Sequence, residues 1–509
     1  MVEQESQRKT TRRSKTLEHA LKYAGIFGGV QGLTMLVSII RNKLATNLLG
    51  TAGYGLMAIY TSISEFVSSS SNFGIPFSSV RRLSELFESG SEEERLHFVK
   101  VTRTWSCWTA LVAVLLCLVG APLLNSWFFG HEDSHTASIM LLAPLVAAMS
   151  ITGGEISILK GLRRLKRVAL ISIFAAVAAL CFTIPFFWTM GLEGIILALN
   201  VSTIAVMIIH FIFTLPAYPW HIAPFSRDIL MEGWKLIRIG IPYVLAAMAG
   251  SGTTMALSAL MKRFGSIDDV GLYRVGFGLM ATYAGIVYAA FDADYFPRLS
   301  SVNNNAARRN LLINQQIRVC ILLISPLLIA LMTAMPLIIR ILSSEDFLPV
   351  TGMAITAAFY MFLRGITLPI SYTALACGHS KFYLLMELLY DMASLAIIMG
   401  SYLQWGLTGA GIGLSLSALF DMLLIGGFYA WRYGVRITLS TIRLSVGQAL
   451  LLAVTMAAAL TLPELWRYAV GVPLFAVSSC LSYKLLAAET AIISQLRNRF
   501  RKCPKSPSS

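Results

Sequence analysis

TWSCWTALVAVLLCLVGAPLL, residues 104–124, places 21 consecutive residues without one charged side chain. A helix crosses roughly 30 Å of hydrocarbon with about 20 apolar residues. A tilted barrel strand needs only about 10. Backbone groups in lipid must bond within the chain, so a run of this length reads as a membrane-spanning helix. Working outward, comparable runs fall near 22–40, 53–77, 136–158, 168–190, 195–215, 240–261, 272–296, 319–339, 350–376, 382–402, 407–430, 444–462 and 467–487. Composition agrees: 56% of the 509 residues are hydrophobic and 13% are charged, against about a quarter charged in soluble chains. The predicted class is an all-α integral membrane protein of about 14 transmembrane helices.

Charge sets the orientation. Of the 41 Lys and Arg residues, 33 fall in the tails and alternate loops that an even span count places on one side. Six (Arg41, Lys43, Lys262, Arg263, Arg340 and Arg467) fall on the other, while Arg274 and Arg364 lie within spans. Basic loops stay cytoplasmic, which predicts both termini inside. The net charge of +15 then reflects topology and anionic lipid, not nucleic acid. The clusters KGLRRLKR (160–167) and RNRFRK (497–502) read first as topology signals, with lipid binding as the alternative. No cleavable leader is expected in the polar, basic first 20 residues. Seven cysteines without a CxxC read as inert thiols, with no disulfide framework and no metal site. HEDSH (131–135) is isolated, and the stretch 85–100 reads as one solvated surface helix. No phosphate-binding P-loop or dinucleotide fingerprint appears.

The halves resemble each other. GTAGYGLMAIY (50–60) matches DDVGLYRVGFG (268–278), LKGLRR (159–164) matches LACGHSK (375–381), and GLEGIILAL (191–199) matches GLTGAGIGL (406–414). The offsets are 218, 217 and 215, taken from Gly53/Gly271, Gly161/Gly378 and Gly191/Gly406. Six spans per repeat give parallel halves related by an axis along the membrane normal, an arrangement that places substrate between the halves. The expected organisation is a basic cytoplasmic tail (1–21), a six-helix bundle (22–216), a cytoplasmic linker (217–239), a second six-helix bundle (240–431), an additional two-helix hairpin (432–487) and a basic tail (488–509).

IIRNKLATNLLGTAGYGL (39–56), NFGIPFSSVRRLSE (72–85), WKLIRIGIPY (234–243), DYFPRLS (294–300) and GHSKFYLLMELLYD (378–391) carry a resemblance to the MOP superfamily. Within it the chain resembles the Wzx-type flippases of the polysaccharide biosynthesis protein family, over about 20–430. The resemblance implies a MATE/MOP-like fold of two pseudo-symmetric six-helix bundles plus the C-terminal helix pair. It implies transport of undecaprenyl-diphosphate-linked oligosaccharide, such as an O-antigen unit, across a bacterial inner membrane. It implies partners in the bilayer, the lipid-linked glycan and other polysaccharide-assembly proteins, and no enzymatic step. Lipid II flippases of the same superfamily also have fourteen spans. A multidrug or cation antiporter is the other relative reading. A glycosyltransferase, polymerase or ligase would need a larger external loop than any present.

A diphosphate path needs fixed cations, and intramembrane charges are costly enough to mark function. The cation candidates are Arg364, Arg274, Lys43 and Arg41. Lys43 matches a basic residue that Wzx proteins often carry at the end of span 1. Arg364 lies mid-span, where snorkelling is hard, and its planar fork suits phosphate. The coupling or gating candidates are Glu65, Glu387, Asp391, Asp421 and Asp292, with sodium or a proton as the coupling ion and no other cofactor. Glu387 and Asp391, four apart, share one helix face. Asp292 and Asp294 are expected to pair with Arg298, and Glu155 with Lys160. His210 reads as a hydrogen-bonded interior residue. Tyr283, Tyr288, Tyr360, Tyr390 and Trp405 are candidates for sugar stacking or packing. Pro76, Pro242, Pro326 and Pro369 are candidate kinks.

Overall fold

In a computed structural model the backbone of residues 2–130, 135–216 and 218–501 is described, with side chains throughout except at 2–28, 31, 165, 239, 242, 289–294, 297 and 488–501. The described chain is helical in the order α1 (Val2–Ser71), α2 (Ile75–Ser89), α3 (Glu92–Phe128), α4 (Thr136–Met140), α5 (Ala143–Gly161), α6 (Leu165–Met190), α7 (Gly194–Thr214), α8 (Arg227–Phe264), α9 (Ile267–Ser301), α10 (Ala306–Leu342), a 3₁₀ turn (Glu345–Val350), α11 (Thr351–Ala376), α12 (Ser380–Tyr433), α13 (Leu439–Thr461) and α14 (Glu464–Arg501). Eleven helices among the described residues are long and apolar enough to cross a membrane. Two further features reconcile that number with fourteen: α12 adds one crossing, and α1, which is not among the eleven, adds two. The 54-residue α12 breaks at Trp405–Gly406, so it makes two crossings. The 70-residue α1 breaks at Gly50. The arm after that break carries Ser62, Ser64, Glu65 and Ser68–Ser71, which hold its hydropathy down although its length suffices.

The chain divides into two compact units, residues 1–255 and 256–509. In the first, α3, α5, α6 and α7 pack with α1, and α2 packs on α5. In the second, α11 packs against α9, α10 and α12, while the α13–α14 hairpin packs on α10. Gln448 on α13 accepts a hydrogen bond from Ser478 on α14 (2.8 Å), both fully buried. Such interhelical polar contacts fix hairpins that cannot rely on a hydrophobic drive within lipid.

Local chemistry accounts for the breaks. The stretch 85–100 is two helix ends, not one surface helix. Gly90 caps α2, and Ser91 with Glu94 forms a reciprocal capping box that starts α3. Pro76 does not kink a span. It sits in the first turn of α2 after Gly74, where its missing N–H costs nothing. Pro326 and Pro369 do lie inside α10 and α11. The Pro242 side chain lies outside the described residues. Residues 227–239, read as linker, form the first turns of α8.

The repeat is visible in backbone geometry. Gly191 (φ 56°) and Gly406 (φ 59°) adopt the same rare conformation 215 residues apart. A Cβ at Gly194 would meet Phe186 O at 2.4 Å, and one at Gly409 would meet Ser401 O at 2.1 Å, again 215 apart in both partners. The turn after α5 repeats likewise: Arg164 N donates to Leu159 O (2.8 Å) and His379 N to Ala374 O (2.9 Å). That pairing corrects the Gly161/Gly378 alignment. Gly378 (φ 77°) corresponds to Arg163 (φ 53°), not to Gly161.

Candidate functional site

Helix α11 is the interior helix of the second unit. In its most apolar window 72% of residues are buried, against 17% for α6. Ala354, Ala357 and Ala358 keep it slim, and all are fully buried. The second arm of α12 lies directly on it because Gly411 has no side chain: a Cβ there would meet Thr356 Oγ1 at 2.2 Å and Met353 O at 2.3 Å. Ser415 stitches the pair, donating to Thr356 O (2.6 Å) and accepting from the Tyr360 N–H (3.1 Å).

Arg364 lies halfway along this helix, with roughly 20 Å of helix on either side. Its guanidinium is within electrostatic reach of Tyr360, Tyr390, Glu387 and Asp421. Tyr360 is one turn before it on the same face. Glu387 and Asp391 come from the first arm of α12, one turn apart, and Asp391 also feels Asp421. Asp421 comes from the second arm, is 6% exposed, and shares a hydrogen bond with Thr367 of α11. Tyr383 hydrogen-bonds Glu387, and Tyr390 hydrogen-bonds Tyr360 and Ser417. On α9, Tyr288 donates to Met361 O. Tyr273 is within reach of both Arg274 and Tyr360, and Phe277 sits edge-on to Tyr360 at 5.9 Å.

The structure therefore gathers Arg364, Glu387, Asp391 and Asp421 into one cluster, with Arg274 joined to its tyrosine edge. Arg41, Lys43 and Glu65 belong to α1 in the first unit and are partly exposed there, the first two before the Gly50 break and the third after it. The side chains of Asp292 and Asp294 lie outside the described residues. Tyr283 is partly exposed, and Trp405, at the α12 break, is 57% exposed. His131–Ser134 of HEDSH lie outside the described residues; His135 pairs with Tyr60 through Nδ1 (2.9 Å). No group of three or more metal-ligating side chains occurs among the described residues.

The second unit's cluster has no counterpart in the first. The 215-residue offset maps Arg364, Glu387, Asp391 and Asp421 onto Met149, Ser172, Ala176 and Val206. The first unit instead buries an ion pair that sequence reasoning missed. Glu155 does not pair with Lys160. Arg103 donates to both its oxygens (Nε to Oε1, 2.6 Å; Nη2 to Oε2, 3.0 Å), each residue 1% exposed. Arg103 also donates to Tyr218 O (2.8 Å) and Pro219 O (2.6 Å) and lies over the Trp220 ring. The pair thus fastens the segment leaving α7. Lys160 was the nearest cation in sequence, but helix rotation points it to solvent. In the second unit Arg309 donates to Tyr433 O, the carbonyl 215 residues on from Tyr218. His210 is buried, and its Nδ1 lies 2.8 Å from Val206 O.

These features define a class: a multi-pass membrane protein with the two-bundle helical fold of MOP-superfamily transporters. A solved lipid II flippase MurJ in an inward closed conformation aligns with 91% of this chain and 99% of its own at TM-score 0.68 and 15% identity. A multidrug resistance MATE transporter of the MOP superfamily, facing inward, aligns with 81% of this chain and 98% of its own at TM-score 0.63 and 13% identity. A MATE protein in complex with MaL6 gives TM-score 0.56 at 13% identity, over 80% of this chain and 95% of its own. The model of one family, described as polysaccharide biosynthesis protein, matches residues 20–303, more than half of the chain, and the chain belongs to that family. No curated protein matches it in sequence.

Proposed function

We propose that this protein is a flippase that moves an undecaprenyl-diphosphate-linked oligosaccharide, an O-antigen or related repeat unit, from the inner to the outer leaflet by alternating access. The carrying observation is Arg364: a guanidinium at mid-helix depth, surrounded by tyrosines, in a chain of the polysaccharide biosynthesis family. Guanidinium offers the diphosphate two parallel charge-assisted hydrogen bonds. Tyrosine hydroxyls and rings offer the sugars donors and stacking faces. No bond is made or broken, so the chain acts as a transporter and not an enzyme. The bias of basic residues supports a plasma-membrane orientation with both termini cytoplasmic. An anion leaving an inside-negative cell moves downhill by about 2.3 kcal/mol per charge per 100 mV.

Among the described residues the cluster sets Glu387, Asp391 and Asp421 against Arg364, with Arg274 at its tyrosine edge. With all three ionised it would repel a diphosphate. The carboxylates must therefore take up a proton or sodium ion in the state that binds the diphosphate, which makes cation and substrate binding thermodynamically coupled. The same excess of carboxylates supports the alternative of a cation antiporter, and the fold likeness supports lipid II as an alternative cargo. Deleting the gene and locating the lipid-linked glycan separates these readings. Accumulation on the inner leaflet, cured by wild type and not by Arg364→Ala, supports the flippase. An unchanged glycan with altered drug resistance overturns it in favour of the antiporter.

A further inference from the structure

The turn after α5 is built twice with one backbone geometry, and the two copies differ in chemistry. In the second unit the left-handed position is Gly378, and the residues at 377–383 include one Lys or Arg, Lys381. In the first unit the same position is Arg163, within a turn that carries Lys160, Arg163, Arg164, Lys166 and Arg167. A positive φ is free for glycine and strained for a residue with a Cβ. The first unit thus keeps a strained arginine where its own repeat shows that glycine serves the turn.

Arg163 is held in place: it pairs with Glu88 and lies over the Phe87 ring at 5.7 Å, both at the end of α2. Arg167 donates to Phe213 O (2.8 Å), fixing the start of α6 to the end of α7. Arg81 and Arg82 are engaged by Glu85 at 3.3 and 3.2 Å. Lys160 and Arg164 are exposed as well. Depth is set by the neighbouring span, since α6 enters its apolar stretch at Lys166. The exposed Trp220 (37%) and Phe225 (87%), in the segment following α7, fit the headgroup layer.

We infer that the α5–α6 turn of the first unit is a binding site for the phosphate of an anionic phospholipid headgroup, with Lys160 and Arg164 as its cations and Arg163 as the positioning residue that holds the turn against α2. The turn geometry alone does not call for these residues, because the matching turn of the second unit is built with one Lys or Arg.

The test uses the full-length protein in detergent, titrated with phosphatidylglycerol or phosphatidylcholine and read by native mass spectrometry. Wild type should bind phosphatidylglycerol at least threefold more tightly than phosphatidylcholine, and the preference should shrink as salt rises. The Lys160→Gln/Arg164→Gln variant should lose that preference. The control Arg436→Gln/Arg443→Gln, which removes two exposed cations in the second unit, should keep it. The single Arg164→Gln, the mildest surface change, should lower phosphatidylglycerol affinity at least twofold. Equal loss in the control pair would reduce the site to net charge and overturn the assignment. So would an unaltered preference in Arg164→Gln, or displacement of phosphatidylglycerol by equimolar undecaprenyl diphosphate, which would make the turn a landing site for cargo.

Discussion

At the scale of single residues, Arg364 carries the account. A charge-assisted hydrogen bond is worth about 1.5–3 kcal/mol, so Arg364→Ala should cut glycan translocation by more than tenfold, and Arg364→Lys, which keeps charge but not the fork, should restore only part of it. Leaflet-resolved labelling of the glycan measures both. Asp421→Asn removes one negative charge from beside the guanidinium. In wild type, undecaprenyl diphosphate should bind more tightly as pH falls or sodium rises, because neutralised carboxylates no longer repel it. Asp421→Asn should bind more tightly at neutral pH and respond less to either ion, as isothermal titration across pH would reveal. Arg103 makes a different prediction. Removing it leaves Glu155 buried without its cation, so Arg103→Ala should destabilise the protein by about 3–5 kcal/mol. The double change Arg103→Met/Glu155→Gln should recover much of that, and thermal unfolding in detergent compares the two. In the sequence, charged residues inside apolar runs were easy to find. Their company was not: Arg364 with Asp421, and Arg103 with Glu155, are joined by helix rotations that a linear pattern does not encode.

At the scale of elements, the spans were legible because hydropathy and length suffice to mark a crossing. The breaks needed more. Trp405–Gly406 and Gly50 interrupt α12 and α1 with one or two non-helical residues and no polar loop. Conversely, 85–100 looked like one helix because its charges run continuously across Gly90, where the caps divide it. The repeat was legible in its glycines, yet at 161/378 identity of residue type misled by two positions. The true partner of Gly378 is Arg163, which conformation reveals and composition hides. Gly191 and Gly406 sit at positive φ with ψ near −125° and −145°, a region almost closed to side chains. Alanine at either should cost about 1–3 kcal/mol. Gly378 also has a positive φ (77°), so Gly378→Ala should cost about 1–2 kcal/mol. Unfolding midpoints of the three variants test this; negligible costs would contradict the assigned geometry.

At the scale of the whole molecule, two units share a backbone plan and divide the chemistry. The second holds the mixed cluster around Arg364; the first holds neutral side chains at the matching positions and a buried ion pair that fastens the segment leaving α7. The family match places the chain in the polysaccharide biosynthesis protein family, its fold is shared with a lipid II flippase, and the proposed function gives the cluster its role. The most direct measurement reconstitutes purified protein into liposomes with a fluorescent undecaprenyl-diphosphate oligosaccharide, imposes a proton or sodium gradient, and follows quenching from the opposite leaflet. Wild type should equilibrate the lipid across the bilayer, while Arg364→Ala, equally folded and equally incorporated, should stay at the protein-free rate. Full activity in Arg364→Ala, or no translocation by wild type under either gradient, would contradict the account.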